Sequence, residues 1–457
     1  MHTFTTLDHG RMTRPCLHLA RHVARRCSLS PARRCFSQSA ARRELRDIAA
    51  LPDRIRPSYQ ETKHLDLLSL QWPQPPRNIL IVHKNGSKLV DEAVHEYANH
   101  IHSTYPDVSL IFEPQVASTI HDKFSFPIYT ALQESQHARL QDKVDLTSTL
   151  GGDGTILHAS SLFANAQNVP PILSFSMGTL GFLGEWKFSD YKRALREVYM
   201  SGATAGYGSA LLETEAGPKQ KEILSGWSSV RGMSMGPSRS SRVLLRNRLK
   251  VGIFAEDGTP IAHADPSAPM CSSDCSDANC DVFAMNEVLL HRGRTPHLSI
   301  INIYVGGRFL TEAVADGLLI STPTGSTAYS LSSGGSIVHP LVSSLLLTPI
   351  CPRSLSFRPL VLPANTPITL RLSPKNRSDE IELSVDGVRR EKGLTRGMEV
   401  RVVGEEIRSG ERTWGGGGVP SIVRTGGGKE GAEGHDHWVG GLNGLLKFNF
   451  PFGEGEE

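Results

Sequence analysis

Asp153 stands at the centre of Gly151-Gly152-Asp153-Gly154-Thr155, directly after the apolar run 146–150. Glycines where a strand gives way to a helix permit positive φ and close ligand approach, and the amides of such a turn attract phosphate. A carboxylate there repels the phosphate beside it. Its presence implies work that only a carboxylate does, such as accepting a proton or holding a metal. The bland alternative is an ordinary Asp-Gly turn, and the motif alone does not separate the two.

Two further segments carry polar chemistry. Asn286-Glu287 interrupts the apolar run 282–290. Adjacent strand residues point to opposite faces, so at least one of the pair is expected to enter something buried, where it needs a partner. An edge strand or a bulge is the alternative. The segment from Asp316 through Ser321-Thr-Pro-Thr-Gly-Ser-Thr-Ala-Tyr329 reads as strand, turn and helix start. Its hydroxyls Thr322, Thr324, Ser326 and Thr327 could meet ribose and phosphate, and Tyr329 offers a flat face to a base. A hydroxyl-rich loop is usually only a loop, but this one is bounded by an apolar strand and a helix start. No Walker loop or Gly-x-Gly-x-x-Gly fingerprint is present, so the argument rests on the combination.

The elements that must position these residues follow from the apolar pattern. A strand at 78–83, a helix at 91–102, strands at 108–112, 146–150 and 171–175, and a helix at 191–199 capped by Ser189 alternate along residues 78–203. That alternation predicts a doubly wound parallel sheet with its crevice at the carboxyl ends of the strands. The helix after the glycine turn is expected to begin near Ile156. From residue 204 to 410 the period changes to short strands at 242–246, 282–290, 298–310 folded over Gly306-Gly307, 318–321, 368–372 and 381–385, an all-β domain. Within it, 257–280 is a polar insertion whose Cys271, Cys275 and Cys280 lack zinc-finger spacing and read as unpaired surface thiols. Residues 44–77 and the Gly-rich 411–434 read as linkers, and 435–457 as a tail whose helix at 438–448 could return to the first domain.

Bulk properties narrow the class. With 457 residues the chain can hold two domains plus tails. A formal charge of +3 argues against nucleic acid as partner, and no apolar run is long enough to span a membrane. Seven cysteines are an odd set, so a disulfide framework is not supported. Residues 1–43 hold nine arginines and one acid, Asp8, with scattered serines, the pattern of a mitochondrial transit peptide. A disordered basic tail, or one that touches nucleic acid, is the alternative.

In this order, the three segments resemble the NAD kinase family, which transfers the γ-phosphoryl of ATP to the 2′-hydroxyl of an adenosine ribose. Met177-Gly-Thr-Leu-Gly-Phe-Leu183 is similar to the family's Gly-x-Leu-Gly-Phe segment, and residues 351–360 and Ser384-Val-Asp-Gly387 resemble its later parts. With the leader included, the chain is similar to fungal mitochondrial NADH kinases. The resemblance implies Asp153 as general base and Gly151, Gly152, Gly154 and Thr155 against the nucleotide. It places Phe182 near the base and gives Asn286 and Glu287 to the diphosphate and ribose. Asp316 would line the nicotinamide end, and Thr324, Thr327, Ala328, Tyr329 and Ser332 the adenine end. Val314 stands where many bacterial members carry a basic residue, so that contact is absent here. ATP with phosphate-held Mg²⁺, NADH or NAD⁺ as acceptor, no protein metal site, a homodimer or homotetramer and the mitochondrial matrix complete the expectation. Diacylglycerol and sphingosine kinases share the glycine turn, and a non-catalytic nucleotide-binding module is the other alternative.

Overall fold

The computed structural model describes residues 44–62, 65–132, 140–178, 181–202, 241–261, 282–410 and 413–424, with positions 438, 442, 445 and 446. The leader, the three cysteines of the insertion and most of the 435–457 tail lie outside them.

The run at 78–83 is buried along its whole length, as a strand covered on both faces must be. Ile79 and Ile81 enter one apolar cluster while Leu80 and Val82 enter another, the period of two that a pleated strand imposes. On one side, helix Lys88–Thr104 buries Val90, Val94, Tyr97 and Ile101 in the first cluster. On the other, helix Asp153–Ser161 gives Ile156 and Ala159 to the second. The strands Leu45–Asp47, Ile128–Thr130, Ser109–Phe112, Asn78–His83, Leu146–Gly151 and Ile172–Ser176 lie side by side, all parallel. The doubly wound reading of this lobe holds.

The second lobe is antiparallel throughout, with a six-stranded and a seven-stranded sheet enclosing one apolar cluster. Its hairpin Ser299–Val305/Arg308–Ala315 turns at Gly306 and Gly307, whose φ of 57° and 76° only glycine adopts without strain.

Four sequence expectations need correction. Residues 44–77 are not a linker, because Leu45–Asp47, Ser58–Thr62 and Leu65–Gln71 are strands of the large sheet. Buried Asp145 fastens this segment by accepting the amides of Ile55, Arg77 and Asn78 at 2.6, 2.7 and 2.9 Å. The span 411–434 likewise contains Thr413–Gly416 and the fully buried strand Val419–Val423, which lies between Ile172–Ser176 and Arg242–Arg246. Arg242–Arg246 therefore belongs to the large sheet and not to the β lobe. Finally, the helix after the glycine turn begins at Asp153 itself. The chain's observed return to the first lobe is thus a strand; from the tail, Trp438 meets the ring of His339 edge-on at 4.8 Å. Among the described residues no helix is long and apolar enough to cross a membrane.

Candidate active site

Asp153 is the first residue of its helix, at the carboxyl end of strand Leu146–Gly151. Its Oδ2 accepts the amide of Phe182 at 2.9 Å and its Oδ1 that of Leu183 at 3.1 Å. Both amides come from the loop leaving the neighbouring strand Ile172–Ser176, so the carboxylate is aimed by the sheet order. The loop passes so close that a Cβ on Gly181 would stand 2.2 Å from Oδ1. A Cβ on Gly151 would collide with the Thr155 Oγ1 in the same way, whereas Gly152 and Gly154 border open space. Those two are the positions at which a ligand can approach the backbone.

Asn286-Glu287 sits where the chain changes sheets. Strand Val282–Ala284 belongs to the six-stranded sheet and Glu287–His291 to the seven-stranded one, with Met285 and Asn286 crossing between. The crossing is seated on the first lobe. The Phe283 amide donates to the Ala164 carbonyl at 2.9 Å, and buried Met285 shares an apolar cluster with Ile156 and Leu183. Leu183 is one of the two residues whose amides hold Asp153. Asp386, at a φ of 47°, gathers the amides of Met285, Asn286 and Glu287 at 2.7, 2.7 and 3.1 Å. Burial raises the Asp386 carboxyl above its ordinary value, opposed by those three donors.

Three buried acceptors at this crossing have no protein partner: Asn286 Oδ1, Glu287 Oε2 and Ser321 Oγ. Glu287 and Ser321 face each other across the antiparallel ladder and so share one face of the sheet. Leaving such groups unpaired costs about 1–3 kcal/mol each, which a donor-bearing ligand would recover. Burial, with Asp386 alongside, pushes the Glu287 carboxyl up to about 7.

The hydroxyl-rich loop is stacked on the same crossing. Thr322 donates its hydroxyl to the Met285 carbonyl at 2.6 Å and its amide to the Asn286 carbonyl at 2.9 Å. A Cβ on Gly325 would meet the Asn286 carbonyl oxygen at 2.2 Å. Ser326 donates to the Pro323 carbonyl and accepts the Val338 amide. The Thr322 and Ser326 hydroxyls offered above to ribose and phosphate are therefore used inside the protein. Thr324 is buried, its carbonyl accepting the Thr327 hydroxyl at 3.1 Å. Ala328 is half-buried, while Tyr329 and Ser332 are exposed at the loop's rim.

Asp316 is not brought here. It precedes strand Gly317–Ser321, and its carboxylate takes the Arg292 Nε at 2.6 Å. Ser321 lies five positions further along the strand, roughly 17 Å at about 3.3 Å per residue.

The sequence reading also missed two arginines. Arg246 and Arg248 are 2% and 1% exposed. Arg248 grips Glu405 through two nitrogens at 2.6 and 2.8 Å and donates to the carbonyls of Phe163 and Ala166. Arg246 donates to the Ser421 hydroxyl at 3.2 Å and lies 3.8 Å from Glu185. Burial lowers its guanidinium below the usual value, against the pull of Glu185 and Asp153. Their signal was two arginines spaced i, i+2 at a strand junction, Arg246 closing Arg242–Arg246 and Arg248 preceding Leu249–Phe254. Among the described residues no cluster of three or more His, Cys, Asp or Glu could hold a metal.

Fold and site together define a two-lobed protein with an amide-held carboxylate in the first lobe and unpaired acceptors in the second, joined through the cluster of Leu183 and Met285. The chain belongs to the ATP-NAD kinase family: the N-terminal domain of ATP-NAD kinases matches residues 80–203 and the C-terminal domain residues 285–405. It is 38% identical over 419 residues to the mitochondrial NADH kinase pos5 of Schizosaccharomyces pombe, covering 90% of this chain and 86% of that one. It is 35% identical over 414 residues to the mitochondrial NADH kinase POS5 of Saccharomyces cerevisiae, with 84% of each covered. The crystal structure of yeast NADH kinase complexed with NADH matches with a TM-score of 0.67 at 33% identity, over 90% of this chain and 100% of that one. The lipid-kinase alternative rested on the glycine turn alone, whereas these matches extend through both lobes.

Proposed function

We propose that the chain phosphorylates the adenosine ribose 2′-hydroxyl of NADH, NAD⁺ or both, with ATP as donor, in the mitochondrial matrix. One observation carries the chemistry: Leu183, whose amide with that of Phe182 holds Asp153, shares an apolar cluster with Met285, next to the unpaired acceptors of Asn286 and Glu287. A carboxylate offers about four lone-pair sites, and the amides of Phe182 and Leu183 take two, so acceptor capacity remains for a substrate hydroxyl. Asp153 takes the 2′-hydroxyl proton as that oxygen bonds to the γ-phosphorus. The bond from γ-phosphorus to the bridging oxygen breaks, ADP leaves, and the proton passes to solvent. Positioning and charge neutralisation supply most of such a rate. Mg²⁺ enters with ATP as part of the substrate, held by its phosphates. Asn286 and Glu287 receive donors from the dinucleotide, and Tyr329 with its loop borders the adenine.

The matrix location is supported by the arginine-rich leader and by two relatives named mitochondrial. Assembly as a homodimer or homotetramer is supported by the edge strand Arg308–Ala315, where Phe309 and Leu310 are 58% and 45% exposed.

Purified full-length protein with ATP and each dinucleotide tests the chemistry. Asp153→Asn should lower kcat by about 10²–10⁴-fold, the worth of a positioned base, with NADH still bound. Turnover within about threefold of wild type would overturn the base assignment.

A further inference from the structure

The loop 181–185 aims Asp153, and something must hold the loop. One anchor is Ser174, whose hydroxyl accepts the Glu185 amide at 3.2 Å and reaches the Leu183 carbonyl at 3.4 Å. The other is a charge. Glu185 Oε1 lies 3.8 Å from Arg246 on strand Arg242–Arg246, and Arg246 is pinned through Nε to Ser421 of strand Val419–Val423. Strand Val419–Val423 stands beside Ile172–Ser176 of the first lobe, and Arg242–Arg246 pairs with it on its other side.

We propose that Arg246 is a positioning residue for the transfer, holding Glu185 and through it the Phe182 and Leu183 amides that aim Asp153. The inference rests on Asp153 being the base.

Direct contact with a nucleotide is excluded by burial, since only 2% of Arg246 meets solvent. Simple stabilisation is a poor account of it as well. A buried guanidinium with its carboxylate at 3.8 Å recovers little of the desolvation it costs, and an apolar side chain of that volume often serves stability equally well. What an apolar side chain cannot do is reach across to Glu185 and fix where the loop stands. The Arg248–Glu405 pair makes the contrast, being bidentate at 2.6 and 2.8 Å and satisfied by two carbonyls besides. That pair ties the lobes together, whereas the looser Arg246 pair acts on the loop next to the reacting atoms.

The test uses full-length protein carrying Arg246→Met, Arg246→Lys, Glu185→Gln or the double change Arg246→Met/Glu185→Gln, each also combined with Asp153→Asn. The readouts are kcat with ATP and NADH, and NADH affinity by fluorescence. A displaced catalytic group of about 1 Å costs on the order of 10²-fold, so Arg246→Met should lose about 10–100-fold in kcat while NADH affinity stays within about twofold. Arg246→Lys should recover most of the loss, and Glu185→Gln should match Arg246→Met. The double change removes the buried guanidinium together with its half-buried carboxylate, so it should fold even where Arg246→Met does not, with the same low kcat. In the Asp153→Asn background, Arg246→Met should cost little more, because both act on one step. Three results would overturn the proposal: unchanged kcat in Arg246→Met or in the double change, kcat and NADH affinity falling together without recovery in Arg246→Lys, or an undiminished cost in the Asp153→Asn background. An active Arg246→Met beside an inactive Asp153→Asn sinks this proposal alone. A fully active Asp153→Asn sinks the base assignment itself.

Discussion

Gly181 is the position at which the site can be disturbed with the least chemistry. An ideal Cβ there falls 2.2 Å from Asp153 Oδ1 and 2.6 Å from both Cγ and Oδ2. Non-bonded carbon needs about 3.5 Å, so in Gly181→Ala the carboxylate must retreat by about 1 Å. Rotation does not relieve the clash, because the methyl crowds all three carboxyl atoms and the amides of Phe182 and Leu183 fix both oxygens. The loop cannot recoil, since Ser174 holds it at Leu183 and Glu185. The φ of Gly181 lies outside the left-handed region, so alanine adds no backbone strain. A misplacement of about 1 Å at a reacting group costs on the order of 10²-fold, or about 3 kcal/mol of transition-state stabilisation. We expect kcat to fall by that factor with NADH affinity nearly unchanged and Tm lowered by the overpacking, measured by coupled NADP(H) formation, fluorescence titration and thermal melting. A kcat within about threefold of wild type would show that Asp153 needs no such placement.

Three other perturbations have defined outcomes. Glu287 is held near 7, above its ordinary 4.5, so the folded state binds its proton better than the unfolded chain does. Its stabilising contribution is therefore full below about pH 4.5 and lost as pH rises through about 7. Glu287→Gln should raise Tm relative to wild type above about pH 7 and change it little near pH 4.5; parallel Tm curves across that range would contradict this. Arg248→Met strands the Glu405 carboxylate, whose side chain is 6% exposed, and should cost about 3–5 kcal/mol in urea unfolding. A loss under about 1 kcal/mol would mean that Glu405 finds other partners. Gly325→Ala drives a methyl to 2.2 Å from the Asn286 carbonyl oxygen, which neighbouring backbone keeps from moving. Overpacking of about 1–3 kcal/mol should weaken NADH binding by about tenfold or more, and an unaltered Kd by calorimetry would refute that coupling.

The parallel core was legible because its strands are buried on both faces and read as continuous apolar runs, as at 78–83. The strand Ile368–Leu372 was legible because its burial alternates. The strand Val419–Val423 was not. It is five residues long, contains Pro420 and follows four glycines, so local preference argues against it. Its pairing with Arg242–Arg246 and its bridge to Ile172 come from residues far away in sequence. Strand Leu65–Gln71 was lost for a similar reason, its Ser69 and Gln71 buried as a hydrogen-bonded pair rather than exposed. At the site, Asp153 was legible as a carboxylate in a glycine turn that should attract phosphate, and Asn286 and Glu287 as polar residues inside an apolar run. Arg246 was hidden because its partners, Glu185 and Ser421, stand 61 and 175 positions away.

That distance in sequence also decides how the crevice works. Asp153 and the Asn286 crossing come from different lobes, and a hinge between them would leave their separation to chance. Three contacts prevent it. Phe283 is bonded to Ala164, Met285 is buried in the cluster of Ile156 and Leu183, and Arg248 joins Glu405 to the carbonyls of Phe163 and Ala166. Residues 163–166 closely follow the helix that begins at Asp153, so two of the ties act at the far end of the element carrying the carboxylate, while Met285 acts at its first turn and on the loop of Leu183. A helix of nine residues is about 14 Å long and stiff, and it transmits that placement to its first turn. The lobes are therefore tied together beside Asp153, and its placement comes from packing rather than from closure around a ligand.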